Sequence, residues 1–238
     1  MKKNLFITSL LVLILTACAT FEPVKKNVAY RGMYEEKPLT ILLMPPINRS
    51  TSVEAKEYFH STLAVPLANA GYYVVPTFLS MEMLKRESAY DAELFLDAPL
   101  TKFGEVFGAD VALFTIIHRW DKTYGAVIVE IEYLLKSVKT NEVVYSRKGL
   151  VNYNTSVSIQ SSGGELAGAL ISAVASAAAT TINTAATKYI DVARIVNNYT
   201  FKDMPRGKYF PFNPQEGDEF ADQKEFRVTL NSNNYVAY

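Results

Sequence analysis

A single cysteine, Cys18, and two histidines, His60 and His118, stand in 238 residues. One thiol excludes an intrachain disulfide and a multi-cysteine zinc site, and two histidines without close carboxylate ligands do not make a metal centre. An excess of charge of one sign is missing too. Twenty-four basic residues balance 24 acidic ones, with no block of five like charges. A dedicated nucleic-acid binder would show a basic stripe, so that class is set aside. No Gly-x-Ser-x-Gly, Walker or dinucleotide fingerprint is found. What is present, 49% apolar and 20% charged residues, is the composition of a globular chain of one domain with appendages.

The front of the chain carries an address. Lys2 and Lys3 precede an apolar run, Leu5 to Ala17, interrupted by Thr8, Ser9 and Thr16. Such a run is too short to span a bilayer, which takes about 18 residues or more, and it has the pattern of a signal peptide over 1–17. Leu15-Thr16-Ala17-Cys18 resembles a bacterial lipobox, in which cleavage leaves the cysteine as residue one and acylates it. Cys18 would then carry diacylglycerol and an N-linked acyl chain such as palmitate, and more than one chain gives stable anchoring. Ala19, in place of an aspartate, favours the outer membrane by resemblance to lipoprotein sorting. Loss of Lys2 and Lys3 leaves 22 basic against 24 acidic residues, so the lipid, rather than net charge, is expected to hold the chain on the periplasmic face.

Residues 18–38 read as lipidated cysteine and tether: Pro23, Pro38 and mixed charges show no sustained period. Residues 39–200 read as an α/β domain. Leu39–Ile47 is a buried strand closed by Pro45-Pro46. Thr51 and Glu54 suggest a capping box ahead of a helix over about 52–70, with Phe59, Leu63 and Leu67 on one face and Gly71 as its stop. A short strand follows at 72–75, then helical segments at 80–90 and from Pro99 to Phe107, ended by Gly108. The segment 109–153 reads as a three-stranded meander. In its middle strand Val127, Val129, Ile131, Tyr133 and Leu135 share one face. Residues 165–198 are the longest periodic segment. A polar stripe (Ser172, Ser176, Thr180, Asn183, Thr187) opposes an apolar one (Leu170, Val174, Ala178, Ile182), which predicts a helix packed apolar side down on the sheet. Close pairing in an oligomer and membrane insertion are the alternatives. The order β-α-β-α-α-β-β-β-α implies a mixed sheet of about five strands with helices packed on it, in the α/β or α+β class. Residues 201–238 form an aromatic, polar tail.

The stretch from Leu42 to Ser50 (LLMPPINRS) resembles the opening of curli-secretion-channel lipoproteins and of the N-terminal domain of the Tol-associated β-propeller protein. Pro66 to Pro76 (PLANAGYYVVP) and Gly108 to Trp120 are similar to a narrower group: bacterial lipoproteins of unknown function that include a neisserial genome-derived antigen. The resemblance spans about 40–198. It implies an accessory subunit in cell-envelope assembly that binds itself or a curli-channel-like lipoprotein. It carries no catalytic residue across. A peptidoglycan-associated or cell-wall-synthase regulatory lipoprotein is the alternative function.

No enzyme is expected. His118 and Asp121 lie three apart on a strand and point to opposite faces. His60 lies within a helix, three residues after Glu57. Asp91, Glu93 and Asp97 read as helix caps, and Ser161 to Gly164 precede a helix whose Glu165 would repel an anion. No cofactor is implied beyond the lipid on Cys18. The positive signal is aromatic: Tyr209, Phe210 and Phe212 in the tail, together with Trp120, are the candidate interface anchors.

Overall fold

A computed structural model describes residues 23–160 and 165–234. The signal peptide, Cys18 and the Ser161–Gly164 segment lie outside those residues. Seven helices and a seven-stranded sheet are present among the described residues.

Two short helices open the described chain, α1 (Lys26–Ala29) and α2 (Arg31–Glu36). Strand β1 (Thr40–Leu43) stops ahead of Pro45-Pro46, and β2 (Ile47–Asn48) follows them. Helix α3 (Ala55–Asn69) leads to β3 (Tyr73–Val74) and α4 (Thr77–Arg86). Helix α5 (Thr101–Phe107) ends at Gly108, which takes the left-handed conformation at φ 62°. The meander consists of β4 (Val111–Thr123), β5 (Ala126–Ser137) and β6 (Val143–Asn154). Helices α6 (Glu165–Ala186) and α7 (Tyr189–Phe201) come next, and β7 (Glu225–Leu230) is the last strand among the described residues.

The sheet order is β3-β1-β4-β5-β6-β7, with β2 on β4. The three meander strands are antiparallel, and the outer pairs are parallel. The mixed sheet and its α/β class agree with the sequence reading. Two strands exceed it: β2, only two residues long, and β7, whose pairing with β6 joins segments about 75 residues apart, too distant for local pattern to show.

One face of the sheet packs against α3, α7 and the N-terminal helices. All five alternating residues of β5, Val127 to Leu135, are fully buried there with Phe59, Leu63, Leu67, Val192 and Val196. A register shift at Leu135/Lys136 brings Val144 into this core and leaves Val143 outside. The opposite face is covered only in part. Leu42, Met44, Ala112 and Phe114 meet Leu84 of α4, Phe103 of α5 and Leu100 just ahead of α5, while Ile128, Glu130, Leu150 and Asn152 remain partly or fully exposed.

Buried polar groups are paired across elements. Asn197 of α7, fully buried, accepts from the Tyr133 hydroxyl and donates to the Phe59 carbonyl (3.2 Å) and Thr62 Oγ1 (2.8 Å). This fixes α7 against α3 and β5 together, since each group left alone would be buried without a partner.

Four features differ from the sequence reading. The tether expected over 18–38 is folded from residue 24 on: Tyr30 and Met33 are buried, and Tyr30 Oη donates to Asp203 Oδ2 (2.6 Å). The Thr51/Glu54 capping box does not form. The Asn48 side chain closes that turn instead, accepting from Ser50 N and donating to Ser52 O. The single helix over 165–198 is two, broken where Lys188 is extended (ψ 126°). Finally, α6 does not lie apolar side down on the sheet.

Candidate interaction site

Trp120, expected at an interface, is a core residue at 2% exposure, set edge-on to Phe59 (5.1 Å) and Tyr189 (5.2 Å). Its place on the inward face of β4 decides this, because a ring that large on that face has only the core to occupy. The candidate acid–base groups are likewise dispersed. His118 pairs with Glu132 (2.8 Å), and Asp121 with Arg119. Asp91 caps a 3-10 turn and Glu93 pairs with Arg49. Among the described residues no three His, Cys, Asp or Glu side chains stand together as a metal site.

His60 is the exception worth a measurement. Both its ring nitrogens are buried without a hydrogen-bond partner, and burial pushes its pKa below the ordinary value near 6.5. The unfolded chain therefore takes up this proton first. The His60 contribution to stability is at its full value above about pH 6.5 and declines as pH falls below it. Replacing His60 with Phe should flatten the fall in thermal midpoint between pH 7 and pH 5; a slope equal to that of the wild type would show that the ring is solvated.

Two surfaces remain. The first is α6. After β6 the chain continues extended through 155–159, and α6 returns along it. The Thr184 hydroxyl meets Thr155 Oγ1 (2.6 Å), Asn183 Nδ2 donates to Thr155 O (2.7 Å), Thr180 Oγ1 accepts from Val157 N (2.9 Å), and Ser176 Oγ accepts from Ile159 N (2.8 Å). The spacing explains the match. Two residues of extended chain advance about 6.7 Å and four residues of helix about 6 Å, so each helical turn offers one hydroxyl to every second residue. The polar stripe thus faces the protein's own backbone, and the apolar stripe faces out. Leu170 and Ile171 are exposed, with Val174 at 71% and Ile182 at 69%. The window Ala169–Ala186 is long and apolar enough to cross a membrane and is only 11% buried. No charged residue occurs from 166 to 187.

The second surface is a groove of about 660 Å³ at the other end of β6. Its wall is the segment from Pro205 to Pro214, bolted to the α3–β3 corner. Gly207 N donates to Ala70 O (2.8 Å), Tyr209 N to Gly71 O (3.0 Å), and Tyr72 Oη to Pro205 O (2.5 Å). Gly71 holds φ 93°, and a Cβ on Gly207 would collide with the Gly71 carbonyl, so both glycines are demanded by close approach. Tyr34, Lys37, Tyr72, Phe210 and Phe212 line the groove. The Tyr34 hydroxyl is buried without a partner, and burial raises its pKa. The tail aromatics expected to be interface residues are displayed here, Phe212 at 90% and Tyr209 at 66% exposure, with Phe210 half-exposed. Sequence reading found this run because no regular element was there to bury it; the α6 face was legible as apolar but not as outward.

Residues 28–207 match the model of the family described as Putative lipoprotein GNA1162-like. The Neisseria meningitidis (serogroup B, strain ATCC BAA-335 / MC58) protein named Putative lipoprotein NMB1124/NMB1162 is 31% identical over 171 residues, covering 68% of this chain and 75% of the relative. Among solved structures, the crystal structure of lipoprotein GNA1162 from Neisseria meningitidis is 24% identical, with a TM-score of 0.46, and the likeness covers 58% of this chain and 96% of that one. A PelC dodecamer from Paraburkholderia phytofirmans is 13% identical, with a TM-score of 0.35, over 65% of this chain and 86% of that one. The narrower resemblance noted in the motifs at 66–76 and 108–120 is thus borne out: the chain belongs to the GNA1162-like family of putative lipoproteins.

Proposed function

We propose that this protein is an outer-membrane-anchored periplasmic lipoprotein, acylated at Cys18, that works without catalysis as an assembly subunit, and that its assembly runs through the apolar face of α6 onto the same face of a second copy. The outward apolar stripe of α6 is the observation that carries this reading. Large apolar patches exposed on a soluble chain mark interaction sites. The face is uncharged and includes Ala173 and Ala177 beside Val174, which lets two helices approach closely. A copy of the same helix presents the same chemistry over the same length, about 33 Å for 22 residues, which suits a self-complementary two-fold pair.

Insertion of one α6 into a bilayer fits less well. The helix would carry the extended 155–159 segment with it, and that segment's remaining backbone groups would lack partners in hydrocarbon. The test is chemical crosslinking in cells, with light scattering of the purified acylated protein in detergent. The wild type should give a self-crosslinked product of more than one copy, and Val174→Glu together with Ile182→Glu should leave a monomer, since each buried unpaired carboxylate costs several kcal/mol. Cys18→Ser should release the protein from the membrane fraction. An unchanged mass in the double variant overturns self-assembly through α6. A product that contains a different lipoprotein and is lost in the same variant keeps the surface and replaces the second copy.

A further inference from the structure

We propose that the 205–214 strap, with Lys37, is a membrane-contact surface that seats on anionic lipid headgroups beside the acyl anchor. The proposal rests on Cys18 being acylated, as argued above, but not on what α6 binds.

Position is the first ground. Pro23, the first described residue, follows Cys18 by five residues, a span of at most about 18 Å. Lys25 pairs with Asp218 (2.7 Å) and bridges to Phe220, while Asn27 lines the groove itself. Lys26 and Tyr30 are tied to Asp203, next to the strap. A lipid on Cys18 therefore holds this end of the domain at the bilayer. The α6 end lies beyond Asn154, at the far end of β6, roughly 33 Å along the strand from Val144, against which Gly32 of α2 packs.

Charge is the second ground. The acidic residues of the groove are engaged: Asp218 by Lys25, and Glu216 by the backbone N–H of Arg206 (2.8 Å). The cations are not. Lys37 and Lys208 form no ion pair among the described residues, and the Arg206 guanidinium lies over the Phe210 ring at 4.3 Å. The rim therefore offers two free ammonium groups and one stacked guanidinium to an anion.

Display is the third ground. Gly207 and Gly71 bolt the strap in place, so Tyr209 and Phe212 are held outward on a fixed backbone. Aromatic rings flanked by Lys and Arg suit the depth of a bilayer where one end of the ring is apolar and the other wet. Each basic residue near an anionic surface adds to the attraction.

The experiment uses the acylated full chain in vesicles whose acyl chains carry bromine, a quencher of tryptophan. Phe212→Trp places a reporter on the strap and Ile171→Trp one on α6; buried Trp120 gives a constant background. In vesicles containing phosphatidylglycerol, the strap reporter should lose emission by about twofold, and the α6 reporter should not. Lys37→Ser with Lys208→Ser should bring that loss down to the value seen in phosphatidylcholine alone. Vesicle-bound protein whose Phe212→Trp emission matches that in unbrominated lipid overturns the proposal and leaves the groove open to a peptide. Quenching of Ile171→Trp in place of Phe212→Trp overturns it and self-pairing together. Failure to associate with vesicles at all overturns both the anchor and the strap contact, while leaving the α6 crosslink to be judged by itself.

Discussion

Asp203→Ala is expected to destabilise the domain by about 3 kcal/mol or more. Asp203 is buried and serves three partners. It accepts from Tyr30 Oη (2.6 Å) and from Asp222 N (2.8 Å), and it faces the Lys26 ammonium at 3.5 Å. Removing it leaves a buried phenol and a backbone N–H without acceptors and leaves Lys26, almost fully buried, with Glu219 alone (2.9 Å). The phenol cannot compensate by ionising: burial, reinforced by the hydrogen bond to Asp203, holds its pKa far above the ordinary value. For a chain of this size the loss corresponds to roughly a 10 °C fall in thermal midpoint. Tyr30→Phe, which removes one hydrogen bond and leaves the carboxylate its other partners, should cost only about 1 kcal/mol. Equal midpoints for the two variants would mean that Asp203 is not the hub. Because this cluster ties the segment nearest Cys18 to the body, Asp203→Ala should also free residues 24–36 to proteolysis before the rest of the chain.

Gly207→Ala should be as damaging, by a different route. The added methyl group meets the Gly71 carbonyl, which is backbone and cannot rotate aside. Two strap hydrogen bonds, from Gly207 N and Tyr209 N, depend on that close approach. Overpacking of about 1–3 kcal/mol and the loss of two hydrogen bonds at about 1 kcal/mol each set the expected cost at about 3–5 kcal/mol. Gly108→Ala supplies the contrast. Its φ of 62° is also unfavourable to a side chain, yet no atom lies within 4 Å of the new methyl group, so about 1 kcal/mol is expected. Chemical denaturation of the two variants checks the difference; similar midpoints would show that the strap yields freely. If the strap detaches without unfolding the domain, Gly207→Ala should also abolish the lipid quenching expected of Phe212→Trp.

Both substitutions bear on the same end of the molecule, where the N-terminal helices and the aromatic strap converge and to which the proposed Cys18 anchor would attach. The α6 face stands at the opposite end. In the proposed arrangement the anchor end would be held to the membrane while the exposed α6 faces of neighbouring copies meet away from it.

Several features could be read from local sequence alone. Alternation from Val127 to Leu135 placed five side chains in the core, because a strand has only two faces and one of them was wholly apolar. Gly108 marked a helix end because it alone among nearby residues adopts the left-handed conformation without strain. The family itself was legible in short runs at strand ends. Tertiary structure decided the rest. Tyr30 and Met33 are buried by elements more than a hundred residues away, so a segment with no period of its own folds all the same. Trp120 is a core residue because of which face of β4 the sheet covers. The clearest case is α6: periodicity divided it into a polar and an apolar face but did not state which one is covered. The backbone of 155–159 needed hydrogen-bond partners, the hydroxyls of Ser176 and Thr180 and the Asn183 amide supplied them about one helical turn apart, and the apolar face was turned outward as a consequence.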